Sequence, residues 1–376
     1  MRKVCYISGT RADFGLMKNV LVEIDRCNEL SLDIIVTGMH LLADYGYTFK
    51  EIENTGLKIT SRIPVTLAGR CGDEMSVAIG EQVIGFTHAL KKISPDLILL
   101  LGDRGEMLAG AISGLHLNIP IVHIHGGELS GTVDEPVRHA ISKLSHFHFT
   151  ATNQARERLI KMGENDSRVF VTGAPGLDEI VNANLRPPVD VCSEYNLDPA
   201  RPFSLVLFHP VVQHAADAGN QFSKVFNALI QSGGQYLIIR PNADAGGAAI
   251  NSVIDGFRSS SDMHIVTHLS RIDFLSLLQA SEMLIGNSSS GIIEAASLGT
   301  RVVNIGDRQR SRERNANVID VQVDVEDIYR GIIQSRKKGV FSGDNVYGDG
   351  NSASRIVELL SDISLNSSVL DKINAY

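Results

Sequence analysis

The chain has no long apolar run, no cysteine pair at ligand or redox spacing, and no excess of basic residues. Its longest wholly apolar stretch is about five residues, Leu97–Leu101, whereas a membrane helix needs about 20. Val4–Ile7, after Arg2 and Lys3, is likewise shorter than the roughly 7–15 apolar residues of a secretory signal. Both absences point to a cytoplasmic protein with no membrane partner. The four cysteines, Cys5, Cys27, Cys71 and Cys192, lie far apart without a CxxC, which fits free thiols in a reducing compartment. Lys and Arg number 35 against 43 Asp and Glu, a net charge of −8. That leaves no broad basic surface for nucleic acid; the one local cluster, Arg308–Arg314, reads as a phosphate site. GxGxxG is missing too. The first strand runs instead into Ser8-Gly9-Thr10-Arg11, so a nicotinamide dinucleotide is not expected.

What is present is strand–helix alternation over 376 residues, enough for two domains. In the first half Val4–Ser8, Leu32–Thr37, Leu97–Leu101, Pro120–Ile124 and Phe147–Ala151 read as strands. Helices are expected at Asp13–Cys27, Met75–Lys92, Arg104–His116 and Asp134–Ser145. Alternation of this period gives parallel sheets with helices on both faces. Asn182–Asp190, with Pro187–Pro188, breaks the pattern and reads as a linker. Strands then resume at Ser204–Phe208, Tyr236–Ile239, His264–Thr267, Met283–Ile285 and Arg301–Asn304, and a last helix follows near Ser352–Asp362. The expected architecture is α/β: two doubly wound, Rossmann-like domains, residues 1–183 and 184–355, with a cleft between them. Residues 356–376 form a helix and tail expected to pack back on the first domain.

Ligands of such sheets bind at the carboxyl ends of strands, so the strand ends are where chemistry is sought. Arg11 sits where a helix begins, as a diphosphate contact or a solvated cap. Asp103 and Arg104 follow Leu97–Leu101, with Glu106 two residues on. His123 and His125 bracket a strand end running into Gly126-Gly127-Glu128, with Asp134, Glu135, Arg138, His139 and Lys143 downstream. This is the densest ionisable cluster in the chain, and acids and histidines beside two glycines suit acid–base work. The helix face Arg138/His139/Lys143 reads equally as solvated charge. His123 and His125 on one strand face could be metal ligands, but no third ligand has diagnostic spacing, and no metal is expected. In the second half His209, Asn242 and the run Gly286-Asn287-Ser288-Ser289-Ser290 stand at strand ends. The serines would open a helix facing a phosphate, Glu294 would hold ribose hydroxyls, and Arg308 or Arg312 would add neutralising charge.

Taken in order, GTRADFG, VTGMH, LGDRGEMLA, HIHGGELSGTVDEPVRHAISKLSH, FHP, RPNADAG, GNSSSGIIEA and NIGDRQ span residues 9 to 309. This ordered set resembles the hydrolysing UDP-N-acetylglucosamine 2-epimerase family of sialic- and legionaminic-acid pathways, whose architecture is similar to the two-domain GT-B fold. The resemblance implies catalytic carboxylates at Asp103 and Asp134. Many members carry HxEGGE where this chain reads HIHGGE, so either Glu128 or His125 would fill the third acid's role. Nucleotide-side residues carry over to Arg11, His209, Asn242, Ser288, Ser289, Glu294 and Arg308. The implied reaction eliminates UDP to a glycal and hydrates it, giving the free manno-configured sugar without a cofactor. The segments HPVVQ, GAPGLDEI and NAY lean toward UDP-N,N′-diacetylbacillosamine as substrate, with UDP-N-acetylglucosamine as the alternative. A non-hydrolysing 2-epimerase and a GT-B glycosyltransferase are the rival readings. The family also implies a homodimer or homotetramer.

Overall fold

The computed structural model describes residues 1–43, 46–66, 72–129, 134–181, 183–241, 246–256 and 262–376. The chain divides into two compact units: unit 1 is Met1–Glu179 with Tyr347–Tyr376, and unit 2 is Ile180–Val346.

Among the described residues, unit 1 holds seven strands: β1 (Arg2–Ser8), β2 (Leu30–Thr37), β3 (Ile59–Ile63), β4 (Leu97–Leu101), β5 (Ile121–Ile124), β6 (Phe147–Thr150) and β7 (Val169–Val171). They pair in the order β3-β2-β1-β4-β5-β6-β7, every pair parallel. The helices of the first segment are α1 (Arg11–Arg26), α2 (Phe49–Asn54), α3 (Gly72–Ile93), α4 (Gly105–His116), α5 (Asp134–Leu144) and α6 (Asn153–Lys161); α7 (Gly176–Val181) runs out of the unit. Side chains on β1 alternate between two cores. Val4 and Tyr6 join the face covered by α1, with Met17, Leu21 and Ile24. Cys5 and Ile7 join the opposite face, with Phe86, Met107 and Ile141. A parallel sheet buried on both faces requires this, and each such Leu or Ile contributes about 1.5–3 kcal/mol of transfer free energy.

Unit 2 repeats the plan with β8 (Phe203–Leu207), β9 (Gln235–Ile239), β10 (Met263–Val266), β11 (Met283–Gly286), β12 (Arg301–Ile305) and β13 (Val318–Val321), ordered β10-β9-β8-β11-β12-β13, again all parallel. Its helices are α8 (Pro188–Glu194), α9 (Ala218–Ser232), α10 (Gly247–Gly256), α11 (Arg271–Ala280), α12 (Ser289–Ile293) and α13 (Val325–Lys337). The chain then returns to unit 1 as α14 (Ser352–Asp362), which packs against α1. Asp178 caps that helix, accepting from the backbone N–H of Ser352 at 2.9 Å and of Ala353 at 2.5 Å.

The stretch read as a linker is partly helix. Pro188 is the first residue of α8, a position where proline's missing N–H and fixed φ cost nothing. Three strands escaped the sequence reading, β3, β7 and β13, and all are outermost in their sheets. Among the described residues no helix is long and apolar enough to cross a membrane. In both sheets the strand order reverses once, between β1 and β4 and between β8 and β11. Loops leaving such a point diverge to opposite faces and open a crevice.

Candidate active site

Unit 1 gathers its ionisable residues around Arg138. This arginine is on α5 and is 4% exposed. One terminal nitrogen pairs with Asp103 Oδ2, just beyond β4; the other lies 3.2 Å from Glu128 Oε2. Burial alone would lower its pKa, but the charges of Glu128 and Asp103 outweigh that and raise it. Arg138 is therefore a fixed cation held between two acids. Glu128 Oε1 in turn lies 2.5 Å from His125 Nδ1. The carboxylate accepts that N–H, which orients the ring and turns Nε2 outward from the pair. Nε2 is buried and has no hydrogen-bond partner among the described residues. A buried, unpartnered ring nitrogen at a strand end calls for an explanation, and a bound substrate would supply one. His125 also holds a left-handed backbone, φ 63°, unusual for a residue with a Cβ.

The glycines after it serve close approach. A Cβ on Gly127, at φ 78°, would fall 2.4 Å from the carbonyl oxygen of Ala155 on α6; Arg158 of the same helix donates to the Gly127 carbonyl. Asp134 opens α5, exposed, one turn ahead of Arg138. The loop before it, residues 130–133, lies outside the described residues. Arg104 binds Glu106 at 2.7 Å, and Arg11, exposed at the start of α1, pairs with Glu51 at 3.0 Å. Behind them sits a network the sequence reading passed over. Asp13 accepts from Gly9 N, Thr10 N, Ser8 Oγ and Tyr6 Oη, closing a capping box with Thr10. Ser8 Oγ also lies 2.9 Å from Nε2 of the buried His40. This network fixes the β1–α1 turn at the edge of the crevice. The placement of His123 and His125 on one strand face does not hold. His125 lies past the end of β5, so the two rings do not share a strand face. His123 is wholly buried, between the Gly102 carbonyl at 2.7 Å and Ser142 Oγ at 3.0 Å.

Unit 2 builds its strand ends around Asn287. Its Oδ1 accepts from His209 N at 2.7 Å and its Nδ2 donates to His209 O at 2.8 Å, clasping the end of β8 to the end of β11. Gly286 makes this possible: at φ 144° a Cβ would lie 2.0 Å from Leu207 O. Ser288 caps α12, accepting from Ser290 N, and Ser289 is half-buried beside it. Arg308, after β12, donates to the Asn287 carbonyl at 3.0 Å, as Gln309 does at 3.1 Å. The guanidinium is thereby drawn to the residue preceding the serines. Glu294 meets Arg271 through two bonds, at 3.0 and 3.2 Å, a partner the sequence reading did not name. Asn242 lies outside the described residues. Arg138 and Asn287 appear in the sequence reading only as part of a face that could be solvated and as part of the serine run, and the role each plays in organising its unit was missed. For Arg138 the available signal was its spacing of four from Asp134; Asn287 stood inside the serine run unremarked.

Comparison with known proteins gives the family and the fold. Residues 22–361 match the family model described as UDP-N-acetylglucosamine 2-epimerase. The chain is 47% identical, over all of both sequences, to the UDP-N,N′-diacetylbacillosamine 2-epimerase (hydrolyzing) of Legionella pneumophila. It is 35% identical to the UDP-N-acetylglucosamine 2-epimerase of Neisseria meningitidis serogroup B, over 96% of this chain and 95% of that one. The fold matches the crystal structure of UDP-GlcNAc 2-epimerase from Neisseria meningitidis bound to UDP-GlcNAc, with a TM-score of 0.82 at 20% identity, covering 95% of this chain and 99% of that one. Two parallel-sheet α/β units of this type make the fold GT-B-like, and the chain belongs to the UDP-N-acetylglucosamine 2-epimerase family.

Proposed function

We propose that this chain is a hydrolysing 2-epimerase of a UDP-linked 2-acetamido sugar, with UDP-N,N′-diacetylbacillosamine as the preferred substrate. The observation that carries the reading is the Asp103–Arg138–Glu128–His125 cluster, with a buried His125 Nε2 still lacking a partner among the described residues. The substrate preference rests on the 47% identity to a relative named for that sugar nucleotide. In this mechanism a base takes the proton from C2 while the C1–O bond breaks and UDP leaves, giving a glycal. Water then adds at C1, and a proton returns to C2 on the opposite face. The C2 proton is weakly acidic, so the base must be held close to it. A neutral His125 with Nδ1–H donated to Glu128 presents the Nε2 lone pair, which suits it to that role. Asp103 and Asp134 are the remaining proton-transfer groups. Arg308, Ser288, Ser289 and His209 are assigned to the diphosphate, Glu294 to the ribose, and Arg11, Arg104 and Asn242 complete the substrate contacts. Charge on the departing diphosphate is met by cations and hydroxyls, and no cofactor is needed. The working form is taken to be a cytoplasmic homo-oligomer.

The test is one incubation in D₂O with UDP-N,N′-diacetylbacillosamine and, separately, UDP-N-acetylglucosamine, with products identified by NMR. The expected products are UDP and free 2,4-diacetamido-2,4,6-trideoxymannose carrying one deuterium at C2. Protium at C2 would refute elimination, and a product still attached to UDP would make the enzyme non-hydrolysing. Faster release of N-acetylmannosamine from the second substrate would reassign the sugar.

A further inference from the structure

The segment after α14 folds back along unit 1 and reaches the end of the helix that carries Arg138. Lys372 Nζ donates to the carbonyls of Ser142 at 3.0 Å and Ser145 at 2.6 Å. Ser142 is in the last turn of α5 and Ser145 just beyond it, where helix carbonyls lack intrahelical partners. A cation there also meets the negative end of the helix dipole. Lys372 is held in place from its other side by Glu164 at 2.6 Å; Glu164 is 2% exposed and also binds His148 at 2.9 Å and Lys143 at 2.8 Å. The same segment is tied by Asn374 Oδ1, which accepts from Lys143 at 2.7 Å, and by Ala375 N, which donates to Gly163 O at 2.8 Å.

From Ser142 the contacts run straight to the acids. Its hydroxyl lies 3.0 Å from His123 Nδ1, and His123 Nε2 lies 2.7 Å from the carbonyl of Gly102, the residue before Asp103. Burial pulls the His123 pKa down to about 3, so the ring is neutral near pH 7. A neutral ring donating Nε2–H to Gly102 must accept the Ser142 hydroxyl at Nδ1. Ser142 is thus gripped at its carbonyl by Lys372 and at its hydroxyl by His123, on the same helix whose Arg138 pairs with Asp103.

We propose that Lys372 is a positioning residue for the reaction: by capping α5 it fixes Ser142, and through Ser142 and His123 it sets the Gly102–Asp103 turn against Arg138. The proposal rests on the reading of Asp103 as a proton-transfer group. A displacement of about 1 Å at such a group can cost 10²-fold in rate. Lys372→Met, which keeps most of the stem and removes the ammonium, is expected to lower kcat by about 10- to 100-fold with KM and UDP affinity unchanged. Lys372→Arg should recover most of the loss. Arg168→Met is the control: Arg168 holds the same segment through the Ser368 and Val369 carbonyls, both at 3.0 Å, and makes no hydrogen bond to α5 among the described residues. It should lose thermal stability but keep kcat. A normal kcat in Lys372→Met, or an equal kcat loss in both variants at matched Tm, would overturn the proposal. If Lys372→Met fails to fold, Ser142→Ala decides. It keeps the carbonyl and loses the link to His123, and should show the same kcat-only defect; normal turnover would refute the route. Hydrogen exchange separates this from the functional reading. In Lys372→Met the amides of the last turn of α5 and of Gly102 should both exchange faster, whatever the substrate proves to be, and a change confined to α5 would refute the coupling.

Discussion

Arg138 holds two acids at once and is itself almost fully enclosed. Removing one member of a buried ion pair strands its partners, typically at about 3–5 kcal/mol. Arg138→Met should therefore lower Tm by several degrees and abolish turnover, both visible by thermal denaturation and steady-state assay. Asp103→Asn keeps the shape and one acceptor, so its fold should survive. Its expected effect is a loss of about 10²–10⁴-fold in kcat with UDP affinity intact by calorimetry. His125→Gln keeps a polar side chain but loses the ring nitrogens. If Nε2 is the base, deuterium incorporation at C2 should fall with turnover, while UDP binding stays normal. The acids and His125 were legible in the sequence because glycines at a strand end leave few structural uses for such a cluster. Arg138 was not, since an arginine among charged neighbours on a helix reads as solvated until a fold turns it inward.

Elements with both faces buried announced themselves. Leu97–Leu101 and Ile121–Ile124 are wholly enclosed strands, and nearly uninterrupted apolar runs are their signature. The three strands missed, β3, β7 and β13, border only one neighbour each; Ile59–Ile63 reads ITSRI and has no buried position. An outer strand has little burial to enforce a pattern, so its sequence carries little. The ends of β8 and β11 depend on Asn287, whose amide makes both bonds to the His209 backbone. Asn287→Ala leaves that N–H and C=O without these partners, at about 1–3 kcal/mol for each buried group left unsatisfied. The expected result is a lower Tm together with weaker UDP binding, because Ser288 and Arg308 are built on the same residue. Ser289→Ala and Glu294→Ala should weaken UDP binding with little change in Tm. Unchanged affinity in both, measured by calorimetry, would remove unit 2 from the nucleotide assignment.

The buried histidines should respond to acid in one direction. Burial pulls the pKa of His40 and of His146 down to about 4, and that of His123 to about 3, all from 6.5. These rings stay neutral when folded but bind protons when unfolded, so each contributes stability that is lost as pH falls below about 6.5. Burial would raise Glu164, but its bonds to His148, Lys143 and Lys372 bring it down to about 2 from 4.5. Its contribution is present above about 4.5 and is lost as pH falls toward 2. Burial lowers His139 and His148 as well; it raises Asp13 to about 6 from 3.8, and raises Glu23 and Asp178, which opposes the trend. The histidines outnumber these acids, so Tm should decline from pH 6.5 downward and more steeply below 4.5, with net proton uptake on unfolding in the upper window; a flat profile between pH 6.5 and 5 would contradict the assignment. The division of the chain bears on how the protein is made. Unit 1 is completed only by Tyr347–Tyr376, while unit 2 is one continuous stretch. On a ribosome, α1 emerges early and can cover β1, but the side it shares with α14 stays uncovered until that helix arrives, after all of unit 2 has been synthesised. A released chain truncated before Tyr347 should hold a protease-resistant unit 2 and an unfinished, chaperone-binding unit 1, so the first half of the gene is the last part of the enzyme to mature.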